Sequence, residues 1–147
     1  PHGALLDGAD DQLEPTRFDT FELETLLATP SAVAPVLSAL FHGLERSFDG
    51  RPTLLVLDEA WLFLDQTLFA AKIREWLKTL RKKRVAVVFA TQSLDDVAAS
   101  TIASSLVEAC PTQVFLPNPR SMEPSSAELY RGFGLNRRQL ELLAFAT

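Results

Sequence analysis

Two short apolar runs, with a helical repeat between them, dominate the hydrophobic pattern of the chain. Thr53–Leu57 and Val85–Ala90 have the length of strands, and a run that is apolar throughout is typical of a parallel strand covered on both faces. Asp65 is the predicted N-cap of a helix that reaches about Lys83. Its apolar residues recur at helical spacing: Phe69, Ile73, Trp76, Leu77 and Leu80. Because a crossover of this kind is right-handed and joins parallel strands, the sequence predicts a parallel pair.

The residues before the first run predict a loop, a short mixed segment and one long helix. Residues 1–15 are rich in Gly, Asp and Pro and lack periodicity, so we expect a flexible N-terminal segment. Residues 17–22 predict a short strand, which a helical turn follows. Ser31 is the predicted N-cap of an amphipathic helix that ends at Ser47, with Pro35 in its first turn.

After the second run, the pattern predicts a helical region and a third strand. Ser93, followed three residues later by Asp96, indicates a capped helix start and a helical region through Ala109. Residues 112–116 end in an apolar Val-Phe-Leu triplet and predict a strand, which prolines close.

The C-terminal tail completes an α/β pattern. Helix is predicted over about 125–133, with a break at Gly134 and a restart after an N-cap at Asn136 through Leu143. Strands that alternate with helices in this way predict a three-layer α/β fold, in which helices flank a parallel sheet. We expect residues 16–147 to form this single domain.

Composition limits the class of protein. Of the 147 residues, 47% are hydrophobic and 22% are charged, which excludes a disordered or collagen-like chain. No apolar run approaches the roughly 20 residues that cross a bilayer. The single cysteine, Cys110, excludes an internal disulfide and a cysteine-cluster metal site. The chain starts at Pro1 without a signal peptide, so we expect it to be part of a longer protein.

Charge is distributed unevenly along the chain. Residues 1–50 contain nine acidic and two basic residues, whereas residues 51–147 contain ten acidic and twelve basic ones, so the net charges are −7 and +2. This balance argues against a general nucleic-acid coat. A basic cluster stands out at the end of the predicted crossover helix: Lys78, Arg81, Lys82, Lys83 and Arg84. Its simplest interpretation is a solvated helix end, where cations complement the helix dipole.

Candidate chemistry lies where the two predicted strands end. Asp58 and Glu59 directly follow the first strand, and Gln92 follows the second. Because the carboxyl ends of parallel strands meet at one edge of the sheet, we expect these side chains to face one crevice. In nucleotide hydrolases, the first of two such acids holds Mg²⁺, usually through water, and the second polarises the attacking water. A glutamine can hydrogen-bond a phosphate oxygen and that water without adding negative charge.

Arg81 lies at the other end of the second predicted strand from Gln92. Within one subunit it is therefore far from the expected crevice. In a ring of subunits, that edge can meet the neighbour's phosphate, where an arginine finger neutralises developing charge. Arg81 is thus either a residue that acts in trans or a member of the solvated basic cluster.

Four consecutive motifs carry a family resemblance. They are Leu54–Trp61 (LLVLDEAW), Trp76–Lys83 (WLKTLRKK), Phe89–Ser93 (FATQS) and Phe115–Pro119 (FLPNP). From about Phe18 to Leu143, the chain resembles the conjugal transfer and type IV secretion ATPases of the TrbE/CagE type, which belong to the FtsK/HerA-like superfamily of ring ATPases. The resemblance implies that residues 16–147 are the C-terminal part of a RecA-like P-loop NTPase core.

The resemblance also implies roles for the candidate residues. Asp58 and Glu59 match the Walker B pair, with Asp58 holding Mg²⁺ through water and Glu59 acting in catalysis, and Gln92 matches the sensor glutamine that contacts ATP. Arg81 falls where the superfamily carries its arginine finger. The implied partners are identical subunits in a ring, expected to be a hexamer, and components of a bacterial conjugation or type IV secretion machinery. The implied location is cytoplasmic and peripheral at the inner membrane, and contact with DNA stays open.

One motif of the family is absent from the sequence. No G-x-x-x-x-G-K-S/T occurs, because none of the six glycines precedes a lysine. In the family this phosphate-binding loop lies N-terminal to Walker B, so we expect the 147 residues alone to be catalytically inactive. The alternative is a non-catalytic assembly module that docks to secretion partners. A transporter-type ABC ATPase would need a Ser-Gly-Gly-Gln-like signature before Asp58, which the chain lacks.

Overall fold

The computed structural model describes residues 16–23, 26, 28–59, 64 and 67–145. The chain divides into two compact units, residues 1–51 and 52–147, and each is described by itself. Two predictions, the flexible segment 1–15 and the N-cap at Asp65, lie outside the described residues.

Residues 17–22 of the first unit do not form the predicted strand. The Thr16 hydroxyl donates to Asp19 Oδ1 at 2.6 Å, and the Thr16 backbone N–H donates to Asp19 Oδ2 at 3.0 Å. Hydrogen bonds of this kind hold a local turn and compete with strand pairing. The prediction of a strand here was therefore wrong.

Helix α1, Pro30–Ser47, is the main described element of the first unit. Thr29 occupies the N-cap and Pro30 the first turn, where the missing proline N–H would have no intrahelical partner. The prediction of Ser31 as N-cap was therefore wrong, and Pro35 lies inside the helix rather than in its first turn. The predicted C-terminal end is confirmed. Neither α1 nor any other described helix is long and apolar enough to cross a membrane.

The second unit is built on a parallel pair of strands, as the sequence predicts. β1 (Thr53–Leu57) pairs with β2 (Val85–Phe89), and the register aligns the first residue of one strand with the first residue of the other. The ladder continues beyond both ends. The Thr53 N–H donates to Arg84 O at 3.1 Å, and the Ala90 N–H donates to the carbonyl of the last β1 residue at 2.9 Å. The C-terminal ends of the two strands therefore lie side by side.

Described residues cover only one face of this sheet. Paired residues of parallel strands point to the same face, so the register separates two sets of side chains. On the covered face, Leu57 and Val85 are buried. The opposite face carries four apolar residues: Leu54, Val56, Ala86 and Val88. Because Leu54 is 64% and Val56 54% exposed, the expectation that both faces are covered was wrong for the described part of the chain.

Helix α2, Thr67–Thr79, follows β1 and supplies a large part of the core of the second unit. Its buried residues recur at helical spacing: Phe69, Ala70, Ile73 and Trp76. The helix tightens into a 3₁₀ turn at Leu80–Lys83, so the single predicted helix is two elements. Arg84 then adopts a left-handed backbone with φ 60°, and the chain enters β2.

Two short helices follow β2, α3 (Leu94–Ala99) and α4 (Ala103–Ala109). The N-cap prediction for Ser93 is confirmed, because its hydroxyl accepts the Asp96 N–H at 3.3 Å. The predicted helical region is interrupted at residues 100–102, which form a bend and a turn. α4 packs against α2 and α3.

Residues 112–116 do not form the predicted third strand. A strand needs a neighbour to satisfy its backbone groups. Within the described part of the chain, no backbone hydrogen bond joins residues 111–117 to another segment. The sheet formed by the described residues therefore has two strands, so the α/β class is confirmed with a smaller sheet than predicted.

The C-terminal helices α5 (Pro124–Gly132) and α6 (Arg137–Phe145) form a second small core. Gly134, with φ 91°, breaks the helix between them as predicted. Asn136 caps α6, because its Oδ1 accepts the Gln139 N–H at 3.0 Å and its own N–H donates to Gln139 Oε1 at 2.8 Å. The buried residues of this core are Ala127, Tyr130, Leu135 and Leu140, and Leu94, Phe115, Phe133 and Leu143 pack against them.

Candidate functional site

The candidate site lies at the C-terminal edge of the two strands. Asp58 and Glu59 form the turn that follows β1, and Asp58 is exposed while Glu59 is half-buried. The Glu59 N–H donates to Asp58 Oδ1 at 3.0 Å. Because β1 ends in the buried Leu57, the sheet anchors this turn and both acidic residues stand at its edge.

Gln92 reaches the same edge from β2. Its Nε2 donates a hydrogen bond to Glu59 Oε1 at 2.5 Å. A local turn holds the backbone around it, because Thr91 Oγ1 accepts the Ser93 N–H and donates to Ser93 O, both at 3.2 Å. The structure therefore brings Gln92 and Glu59 into contact, as the strand topology predicts. Their roles in nucleotide chemistry stay predictions.

Glu59 has a left-handed backbone, with φ 51°. This conformation costs a residue with a Cβ roughly 1–2 kcal/mol, because the Cβ crowds the following carbonyl oxygen. Strained residues persist only where the surrounding structure enforces them, and they cluster at functional sites. No pattern in the sequence predicts this feature, since glutamate does not favour the left-handed region.

Arg81 lies at the opposite end of β2 from Gln92. It belongs to the exposed 3₁₀ turn before the strand, and its carbonyl accepts the Arg84 N–H at 3.1 Å. The five-residue strand spans about 16 Å, at roughly 3.3 Å per residue. The structure therefore does not bring Arg81 to Glu59 or Gln92 within one subunit, which agrees with the topological expectation.

The described residues fit one part of a Mg²⁺ and ATP site. Among them, no group of three or more His, Cys, Asp or Glu side chains is placed to hold a metal ion. Mg²⁺ at nucleotide sites uses one or two carboxylates, several waters and the substrate phosphates. The exposed carboxylate of Asp58 is a ligand of that kind. The phosphates need a cradle of backbone N–H groups, and the sequence lacks the glycine-rich loop that supplies one.

Arg120 and Cys110 lie outside this site. Arg120 forms a two-point ion pair with Glu123, with Nε to Oε1 and Nη2 to Oε2 both at 2.9 Å. These hydrogen bonds raise the pKa of Arg120 and lower the pKa of Glu123, and they occupy the guanidinium. Burial raises the pKa of the Cys110 thiol, which disfavours the nucleophilic thiolate.

Known proteins similar to this chain carry names from conjugation and type IV secretion. The chain is 48% identical over 148 residues to a probable conjugal transfer protein TrbE of Sinorhizobium fredii, with 100% of this chain and 22% of that protein covered. It is 46% identical over 147 residues to the conjugal transfer protein TrbE of Rhizobium radiobacter, with 99% and 18% covered. It is 34% identical over 142 residues to the type IV secretion system protein VirB4 of Bartonella quintana, with 96% and 18% covered. No family model matches the chain.

Identity at this level along the whole chain decides the relationship. The chain belongs to the TrbE and VirB4 family. The resemblance that the four motifs carry is thereby confirmed. The chain spans about a fifth of the length of the curated relatives it matches. What a whole TrbE or VirB4 protein does therefore comes to this chain only as a proposal.

Two backbone features of this TrbE and VirB4 family chain were not predicted from its sequence. Glu59 and Arg84 are the described non-glycine residues with positive φ. They lie at opposite ends of the sheet, since Glu59 follows β1 and Arg84 precedes β2. Each therefore marks a sharp change of direction where the chain leaves or enters a strand.

Proposed function

We propose that this chain is part of the motor domain of a ring-forming ATPase that powers conjugative transfer or type IV secretion. Two observations support the proposal: the printed names of its relatives, and the hydrogen bond from Gln92 to Glu59 at the carboxyl edge of a parallel sheet. The contact carries most weight, because ligands of open α/β sheets bind at that edge. The parallel pair with its flanking helices would then be part of a RecA-like core.

In this proposal, the residues at the sheet edge divide the work. Asp58 holds Mg²⁺ through water, and Glu59 polarises the water that attacks ATP. The bound Mg²⁺ would supply neutralisation of the charge that develops on the phosphate oxygens. Gln92 orients the Glu59 carboxylate through the hydrogen bond at 2.5 Å. Its amide nitrogen carries two hydrogens, so the second is available for a phosphate oxygen.

The backbone of Glu59 supports a functional role for this turn. A turn with a purely structural role would favour glycine or asparagine where φ is positive. Glutamate stands there instead, with φ 51°. A local choice that opposes the backbone preference is expected where the side chain itself is needed.

Arg81 acts in trans in this proposal, because it lies at the far end of β2 from its own subunit's Gln92. The partners would be identical subunits in a ring, expected to be a hexamer, and components of the secretion machinery. The site of action would be the cytoplasmic side of a bacterial inner membrane. Lacking a phosphate-binding loop, the 147 residues alone would neither bind nor hydrolyse ATP appreciably.

The test is Glu59→Gln in the full-length protein that contains this chain. The amide keeps the shape of the side chain but cannot assist the attacking water as a carboxylate does. We expect ATP hydrolysis to fall by about 100-fold or more, as is usual when a general base is lost, while ATP binding survives. Steady-state hydrolysis and calorimetric binding measure the two effects.

Glu128→Gln is the matched control, because it makes the same chemical change at an exposed glutamate of α5. It should leave hydrolysis unchanged. A Glu59→Gln protein that hydrolyses ATP within a few-fold of wild type would show that Glu59 has been assigned wrongly. The uncovered apolar side chains of the second unit, such as Leu54 and Val114, would then favour the second candidate, a non-catalytic assembly module.

A further inference from the structure

Residues 112–116 of the second unit, here called the 112–116 segment, have strand-forming side chains but no strand partner. Within the described part of the chain, no backbone hydrogen bond joins residues 111–117 to another segment. Regular pairing resumes only after them, where the Asn118 N–H donates to Leu143 O at 2.9 Å. The donors and acceptors of the 112–116 segment are therefore available to a partner.

The side chains of the 112–116 segment alternate between the core and the surface. The Phe115 ring is half-buried and meets the Tyr130 ring edge-to-face, with centroids 5.8 Å apart and planes at 68°. Its neighbours point outward, with Val114 81% and Leu116 75% exposed. A period of two is the side-chain pattern of a strand. One side of the segment is thus anchored to the C-terminal core, while the other side carries bare apolar groups.

The chemistry of the 112–116 segment selects a strand as its partner. A helix packed on Val114 and Leu116 would cover apolar area but would leave the backbone groups unpaired. An added strand satisfies both needs at once, because its ladder pairs the backbone while its side chains cover alternate residues. The sequence Thr-Gln-Val-Phe-Leu is rich in residues that favour strands, and prolines on both sides limit its length.

The lack of charge in the 112–116 segment indicates a permanent partner. Natural proteins protect exposed strand edges with charged residues, bulges or cover, because a bare edge recruits other chains. No charged residue occurs from Pro111 to Pro117. A partner that comes and goes would leave this apolar, uncharged segment open to aggregation. A partner on the same polypeptide avoids that exposure.

We propose that the 112–116 segment is completed as a strand by pairing with a strand from polypeptide outside these 147 residues. The source has ample length, because the chain spans only about a fifth of the TrbE and VirB4 relatives. The inference goes beyond the proposed function and uses none of its residues. The loss of one would therefore leave the other standing.

Hydrogen exchange in the full-length protein tests the pairing. Amides of the 112–116 segment should exchange on the order of 100-fold more slowly than an unstructured peptide of the same sequence, at least at alternate residues. In the 147-residue chain alone, the same amides should exchange near the unstructured rate. The amides of β1 and β2 serve as an internal reference, because they pair within the chain.

Val114→Asp in the full-length protein tests the apolar side of the contact. It should speed exchange in the 112–116 segment while β1 and β2 stay protected. Val107→Asp is the matched control, because Val107 is also an exposed valine, at 39%, but lies on α4. Unprotected amides in the full-length protein would overturn the proposal. Protection that appears in the 147-residue chain alone, together with dimer formation, would assign the partner strand to a second copy and overturn it equally.

Discussion

Gln92 Nε2 donates to Glu59 Oε1 at 2.5 Å, although 33 positions separate the two residues in sequence. The pairing of β1 and β2 makes this contact, because the Ala90 N–H donates to Leu57 O and holds the two strand ends level. A slip of one residue would move Gln92 by about 3.3 Å and turn the side chains of β2 to the other face. The contact therefore depends directly on the register of the sheet.

Gln92→Glu should impair hydrolysis in the full-length protein without unfolding it. The change replaces the amide donor with a carboxylate beside the Glu59 carboxylate, and two like charges at this distance repel. We expect the hydrolysis rate to fall by about 100-fold or more, as is typical when a preorganised donor is lost. Steady-state hydrolysis and thermal unfolding of the same preparations measure the two properties.

Gln139→Glu is the matched control for Gln92→Glu. Gln139 is exposed and caps α6, and a glutamate at this position can accept the same hydrogen bond from the Asn136 N–H. Its hydrolysis rate should equal that of the unmodified protein. Normal hydrolysis by Gln92→Glu would rule out a role for Gln92 in positioning Glu59 or phosphate.

Arg81→Ala tests action in trans. In the full-length protein, we expect this change to leave ATP affinity nearly unchanged and to remove the stimulation of hydrolysis that accompanies ring formation, because β2 separates Arg81 from its own Glu59 and Gln92. Mixing Arg81→Ala subunits with Glu59→Gln subunits creates interfaces in which an intact Glu59 meets an intact Arg81. Hydrolysis should partly return on mixing.

The control for Arg81 is Arg74→Ala, which removes another exposed arginine, from α2. It should have normal hydrolysis and should not complement Glu59→Gln. If mixed rings form and stay as inactive as either parent, Arg81 does not act across the interface. Normal activity of Arg81→Ala alone would return the basic cluster to its simplest interpretation, a solvated end of a helix.

The elements that depend on local pattern were predictable from the sequence, and those that depend on a partner were not. The two apolar runs predicted β1, β2 and the meeting of Glu59 with Gln92. Residues 112–116 have the same strand-forming character, yet a strand also requires a neighbour, and none of the described residues supplies one. Propensity alone cannot distinguish these cases.

Two local errors have different physical causes. Ser31 is a good N-cap residue, but Pro30 before it is better placed at the first helical position, so the helix starts one residue earlier. The left-handed backbone of Glu59 opposes the preference of glutamate and follows from the way the turn leaves β1. A pattern of residue types contains no signal for such a conformation.

Leu140→Ala should destabilise the C-terminal core of the second unit. Leu140 is fully buried with Ala127, Tyr130 and Leu135, so the change leaves a cavity and removes apolar contacts. We expect a loss of about 2–5 kcal/mol in the free energy of unfolding. Urea denaturation monitored by circular dichroism measures it. Leu142→Ala, on the same helix but 64% exposed, should change stability by no more than about 0.5 kcal/mol, and equal losses for both variants would contradict the packing.

Alkylation of Cys110 should require higher pH in the folded chain than in the unfolded chain. Burial raises the pKa of its thiol above the ordinary value of 9.0, and only the thiolate reacts with iodoacetamide. At a given pH, the folded chain therefore holds less thiolate. The rate of alkylation, followed by mass spectrometry in buffer and in urea, should reach its midpoint at higher pH in buffer. Because the folded state binds this proton more tightly, the associated stability is fully present below the unfolded pKa and is lost as the pH rises through the folded pKa. A midpoint in buffer at or below that in urea would mean that Cys110 is not shielded as the structure indicates.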